Sequence, residues 1–247
     1  MNLDLHLLMS DWHCPEHQIC ARTIRGSDGR ELVQLRVDLG VLQMFADGRP
    51  DGACVHGVDT ALSFVERELA AGRPVAAHDW QELHRELQQF NYRRLALCTL
   101  ADTPELAVQP QTLREVLTRA GRDIAHLRRT LELVERSEPD GRPAYPGLMP
   151  TLVFSDVRVR ARLFLLDGRV EDAIETLEAG LETLDGILAQ AGADEGTRGA
   201  EPGLLMLREQ ARHLRREHGV ERTLREQLDD AIEREDFEAA ARLRDAL

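Results

Sequence analysis

One feature bounds the fold more than any other: the apolar spacing of this chain changes period once. Val33, Leu35, Val37, Leu39 and Val41 alternate with Gln34, Arg36, Asp38 and Gly40, the period-two signature of a strand with one buried face. Gly26-Ser27-Asp28-Gly29, just ahead, suits a turn between antiparallel strands, so Gln18 to Phe45 reads as a β-hairpin. Two strands alone are marginal in water, and their apolar face must dock on helices, on further strands or on a second copy.

Beyond the glycine- and proline-rich loop at 47–57, the spacing becomes that of helices. Helices are expected over about 58–71, 79–100, 111–136, 151–166, 169–190 and 204–217, followed by a closing pair. The stretches 138–147 and 191–203 are rich in Gly and Pro and poor in large apolar residues, as loops and linkers are. The expected class is mainly α with a small N-terminal antiparallel β-hairpin. Its parts are a hairpin region at 1–57, a helical body at 58–190, a linker at 191–203 and C-terminal helices at 204–247.

Within the body, residues 161–181 resemble part of a tetratricopeptide repeat, with Ala161, Gly168 at the turn, Ala173, Leu177 and Gly180. Small residues at this spacing let two antiparallel helices approach and bury Leu165, Ile174 and Leu177 between them. The pair from 79 to 136 lacks the small positions, so a plain helical bundle is the simpler expectation.

A chain of 247 residues with 43% hydrophobic content can bury a sizeable core. Its net charge is −13, and every basic residue is an arginine, since the sequence contains no lysine. That field disfavours non-specific contact with phosphate backbones and anionic lipid. The start, MNLDLHLLMSDWH, has neither a basic segment nor a cleavage site, and no apolar run reaches a membrane span, which points to a cytoplasmic protein. Cysteines 14, 20, 54 and 98 are then expected to be reduced.

The chain closes with two short stripes. Leu224, Leu228, Ala231 and Ile232 fall on one helical face; Phe237, Ala240, Leu243 and Leu247 fall on another, beyond the charged corner Glu233-Arg234-Glu235. Asp236 suits the cap of the second helix, Glu238 its positive end, and Arg242 and Arg244 its negative end. So few apolar side chains do not offset the entropy of ordering two helices, so the hairpin needs further apolar surface from its own body or another chain. Leu228, Ile232, Phe237, Ala240 and Leu243 are the expected buried contact with a partner, with Arg244 as polar neighbour.

The run LDDAIEREDFEAAARLRDAL closely resembles the UVR motif of the B and C subunits of the bacterial excision nuclease, of an activator of protein arginine kinase and of some Clp-type ATPases. The match lies in Leu228, Ala231, Asp236-Phe237-Glu238, Ala240-Ala241, Leu243-Arg244-Asp245 and Leu247. The resemblance implies a helical hairpin that contacts protein, often a second such hairpin. QLRVDLGVLQM, followed by DGRPDG and HG, resembles the start of a bacterial, planctomycete-type family whose members end in the same motif.

Other residues offer chemistry of their own. Cys14, His17, Cys20 and Cys54 could supply four zinc ligands, but their spacing is no recognised knuckle, and no metal or cofactor is expected. Arg49, Asp51 and His56 could form an anion clamp with an acid and a base, though Gly48, Pro50, Gly52 and Gly57 mark the segment as turn geometry first. Without a phosphate loop or nucleophile elbow, no enzyme is expected. The arginines of 211–228 are interleaved with Glu217, Glu221 and Glu226, as on a solvated helix face. Tyr92, Arg93 and Arg94 read as helix packing with arginine stems over apolar neighbours.

The sequence thus points to a non-catalytic cytoplasmic adaptor that binds a partner protein, or a second copy, through its terminal hairpin. The alternatives are an accessory factor in nucleic-acid repair and a regulator of a protein kinase or Clp-type protease.

Overall fold

The alternating run does form antiparallel sheet, but it folds back on itself. A computed structural model describes residues 9–15, 18–37, 40–137, 145, 147–234 and 236–246. Strands β1 (Cys20–Arg25), β2 (Glu31–Val37) and β3 (Gly40–Phe45) make one sheet in the order β1-β2-β3. The expected hairpin therefore has a third strand, with Val37 paired to Gly40 in antiparallel register. Period two is unchanged on either side of a tight reversal, so alternation by itself does not reveal it.

As the central strand, β2 is covered on both sides, and Leu32, Val33, Gln34 and Leu35 are all buried. One face carries Val33, with Thr23 and Met44 opposite it, and Leu35, with Ala21 and Leu42 opposite it. The other carries a polar ladder: Arg22 Nε donates to Gln34 Oε1 at 2.7 Å, and Gln34 Nε2 donates to Gln43 Oε1 at 2.8 Å. Trp12 lies under the Arg22 guanidinium at 4.2 Å and closes that side. Cys14 and Cys20 are joined in a disulfide, their Cα atoms 5.9 Å apart and within reach of a bridge. This corrects the expectation of four reduced thiols; Cys54 and Cys98 are in no disulfide.

Helices α1 (Ala61–Ala70), α2 (Ala77–Ala101), α3 (Pro104–Ala107) and α4 (Pro110–Ser137) follow. Thr60 caps α1 by accepting from the Ser63 amide, and α2 packs against the sheet. Leu83, Leu87, Phe90 and Leu97 on α2, and Leu113, Val116, Leu117, Ala120, Ile124 and Leu127 on α4, recur at three- and four-residue spacing and are buried. Val55, Leu62, Val65, Trp80, Leu83, Leu133 and Val134 form a core shared by the loop after β3 and helices α1, α2 and α4.

The chain divides into two compact units, residues 1–146 and 147–247, a division that falls inside the expected 58–190 body. The second unit holds α5 (Leu148–Leu166), α6 (Val170–Gln190), α7 (Glu195–Gly199), α8 (Pro202–His218), α9 (Leu224–Glu233) and α10 (Phe237–Ala246). α5 and α6 join at Gly168, whose φ of 74° is a left-handed value that glycine adopts without strain. Ala161, Ala173, Ile174 and Leu177 are buried and Leu165 half-buried; a Cβ on Gly180 would fall 2.4 Å from Val157 Cγ2, so the two helices meet there. Residues 191–203, read as linker, include α7, capped by Asp194 and tied by Arg198 to Asp185 at 2.8 Å. Among the described residues no helix is long and apolar enough to cross a membrane.

Candidate functional site

The terminal hairpin begins where α8 ends. Gly219 adopts φ 65°, and Val220 turns back with its side chain against the core of the second unit. Thr223 then opens α9 with a reciprocal cap: its hydroxyl accepts from the Glu226 amide at 3.2 Å, while Glu226 Oε2 accepts from the Thr223 amide at 2.6 Å. Glu171, at the start of α6, accepts from the Leu224 amide at 2.7 Å and satisfies another unpaired donor of the first turn.

Arg215 on α8 ties this base together. Its guanidinium donates to Glu178 at 2.8 and 2.9 Å and to Glu226 at 2.7 and 3.2 Å. Burial by itself would push the Glu226 carboxyl up, but the bonds from Arg215 and the Thr223 amide outweigh it and hold the group below the usual carboxylate value. The same carboxylates raise the Arg215 guanidinium. Arg225 pairs with Glu175 at 3.3 Å, and Arg222 pairs with Asp230. The arginines 215, 216, 222 and 225 of the basic run are therefore engaged with carboxylates, four of which, Glu175, Glu178, Glu226 and Asp230, lie on α6 or α9 and one, Glu209, on α8 itself.

From this base α9 runs out and α10 packs back on it. Ala231 is buried, Leu228, Ala240 and Leu243 are half-buried, and Asp236 caps α10 by accepting from the Ala239 amide at 3.0 Å. The two largest apolar side chains at the corner stay in water: Ile232 is 51% exposed and Phe237 70%. Arg244 is exposed and pairs with Asp245 at 3.1 Å. Of the six residues singled out from the sequence, three thus lie in the partly covered part of the hairpin, and Ile232 and Phe237 flank the corner as uncovered apolar surface. Such surface is what a protein contact removes from water.

The competing candidates resolve differently. Arg49 is buried, pairs with Asp51 at 3.1 Å, and also meets Glu82 and Glu86. His56 is turned away to Asp79, 2.8 Å distant, so Arg49, Asp51 and His56 form no single site. Glu86, fully buried, accepts from the Ala61 and Leu62 amides at 2.6 and 3.1 Å and meets His126 at 3.0 Å. Its work is to hold the start of α1. A cleft of about 360 Å³ nearby contains Arg93, Arg119, Asp123 and His126, but Arg93 is committed to Asp123, and Arg119 to Glu31 and Asp47. Of the cysteine set, Cys14 and Cys20 have no thiol to offer a metal, Cys54 is an exposed free thiol, and His17 lies outside the described residues.

No curated protein and no solved structure matches the chain. Residues 222–247 match the family model described as the UvrB/uvrC motif, from the residue before the Thr223 cap to the C-terminus. The anchored hairpin with the bare corner is therefore a UVR motif.

Proposed function

We propose that this chain is a non-catalytic adaptor whose UVR hairpin docks on a protein partner, either another UVR-containing protein or a second copy. The observation that carries this reading is the uncovered Phe237 and Ile232 at the corner of a hairpin whose base is fixed by a capping box and the Arg215 ion pairs. A fixed base lowers the ordering cost of binding, and a bare aromatic at the tip is the kind of anchor that dominates interface energy.

Charge supports protein over nucleic acid. Residues 224–246 carry a net charge of −4 within a chain of −13, so a partner groove that is apolar with a basic rim complements the hairpin, whereas a phosphate backbone repels it. An accessory role in repair, or in regulating a kinase or protease, would use the same docking step and differ only in the partner.

The test compares the full chain, the double variant Ile232→Asp/Phe237→Asp and a chain ending at Val220, by sedimentation and by affinity capture from the source cells. Both altered chains should lose the bound protein or the self-association, while the double variant keeps its helical circular dichroism because both side chains are already exposed. Equal association by all three would refute the proposal.

A further inference from the structure

A second cluster lies in the first unit, well apart in sequence from the hairpin. Val55 and Val58 bridge each other in both directions, at 2.8 and 2.9 Å, which closes a two-residue turn at His56-Gly57. Both turn residues have positive φ, 47° and 77°. Asn-Gly and Asp-Gly are the usual pair for that turn type, and histidine is among the few other residues that enter the left-handed region readily. From this turn His56 lies 4.3 Å from the Phe64 ring and 2.8 Å, by Nε2, from Asp79 Oδ1.

His78 reaches the same oxygen from the first turn of α2, with Nε2 at 3.0 Å. The three ligand atoms all lie within 4.8 Å of one another. Asp79 is buried and fixed, whereas both imidazoles are accessible and free to adjust. The supporting chain is rigid, because Val55, beside His56, and Trp80, beside Asp79, belong to the same core.

We infer that His56, His78 and Asp79 form a site for one divalent transition-metal ion of the zinc class. Ligand atoms around a tetrahedral zinc stand about 3.3 Å apart, given bond lengths of roughly 2.0–2.2 Å. The two Nε2–Oδ1 separations lie a few tenths of an ångström below that, so small movements of the two exposed rings admit the ion. Two imidazoles and one carboxylate match zinc or ferrous iron; calcium and magnesium require a mostly oxygen shell, and this cluster offers one carboxylate. Three protein ligands leave a position for water or a fourth group. Bound there, the ion would clamp the turn to the start of α2.

Two imidazoles sharing hydrogen bonds with a carboxylate is the competing arrangement, and metal binding separates the two. The full chain, stripped with chelator, is titrated with zinc against a chromophoric competitor and then analysed for metal after dialysis. One equivalent is expected, together with a rise in the thermal midpoint. His78→Ala, which alters an exposed side chain, should weaken zinc by at least tenfold and abolish the thermal rise. His213→Ala, an exposed histidine of the second unit, should do neither. Cobalt(II) in place of zinc should give the visible absorption of a low-coordinate nitrogen–oxygen site, absent from His78→Ala. Substoichiometric zinc, or zinc binding by His78→Ala equal to the unaltered chain, would overturn the assignment.

Discussion

Arg93 is 3% exposed and Asp123 2%, and the side chain of Arg93 joins three elements. Nε and Nη2 donate to the two carboxylate oxygens of Asp123 on α4 at 2.8 and 2.6 Å, and Nη1 donates to the carbonyls of Phe45 and Gly48 at 2.8 and 2.7 Å. Arg93→Met keeps an apolar stem of similar length but removes all four bonds and the guanidinium that lies over the Phe90 ring. One-sided removal of a buried ion pair costs about 3–5 kcal/mol, because the remaining charge has no partner. The loss should depend on pH. Burial pushes the Asp123 carboxyl up, Arg93 pulls it back, with smaller help from His126 and Arg122, and the net value stays raised. A carboxyl raised in the folded state stabilises most below its unfolded value, near 3.8, and that contribution is lost as pH rises through the folded value. Removing Arg93 raises it further, so the deficit of Arg93→Met should grow as pH rises through the folded value of the unaltered chain, by at most about 1.4 kcal/mol per pH unit. Arg93→Met/Asp123→Leu, with neither charge, should regain much of the loss. Urea unfolding followed by circular dichroism measures all three. A deficit under about 1 kcal/mol, or one that does not change with pH, would refute the reasoning.

Gly180→Ala gains about 1 kcal/mol of helix propensity but forces a methyl to within 2.4 and 2.6 Å of the Val157 methyl carbons, an overpacking that costs about 1–3 kcal/mol; thermal melts should show net loss, relieved by Val157→Ala. Glu226→Gln should destabilise the second unit by about 1 kcal/mol near neutral pH through its weakened cap. Because the Glu226 carboxyl is held low when folded, its contribution is present above the usual value of 4.5 and fades as pH falls through the folded value, so the variant and the unaltered chain should converge in acid denaturant titrations. Reducing Cys14–Cys20, which closes a loop of sequence separation 6, should cost about 2 kcal/mol by the chain-entropy relation, read as a shift in urea midpoint with and without reductant.

Periodicity carried much of this fold into the sequence. Helices such as Pro110–Ser137 and Val170–Gln190 begin and end close to where apolar spacing and glycine place them, because one face of each is buried. What stayed hidden depends on contacts between distant residues. The reversal after Val37 leaves alternation intact. Glu86 and Asp123 look like surface residues in any local pattern, and only their pairing with Arg49 and Arg93 across α2, α4 and the loop after β3 makes burial tolerable. His56 and His78, 22 positions apart, gave no ligand spacing. The terminal hairpin was legible because its caps, stripes and motif are all local; its anchor through Arg215 to Glu178 was not.

The central claim is that the hairpin corner touches protein. The most direct measurement places a photoactivatable phenylalanine analogue at position 237 in the producing cells, and at Tyr92, an exposed aromatic of the first unit, as reference. Irradiation should join position 237 to one discrete protein or to a second copy of this chain, with no such product from position 92. Equal, diffuse labelling from both positions would contradict it.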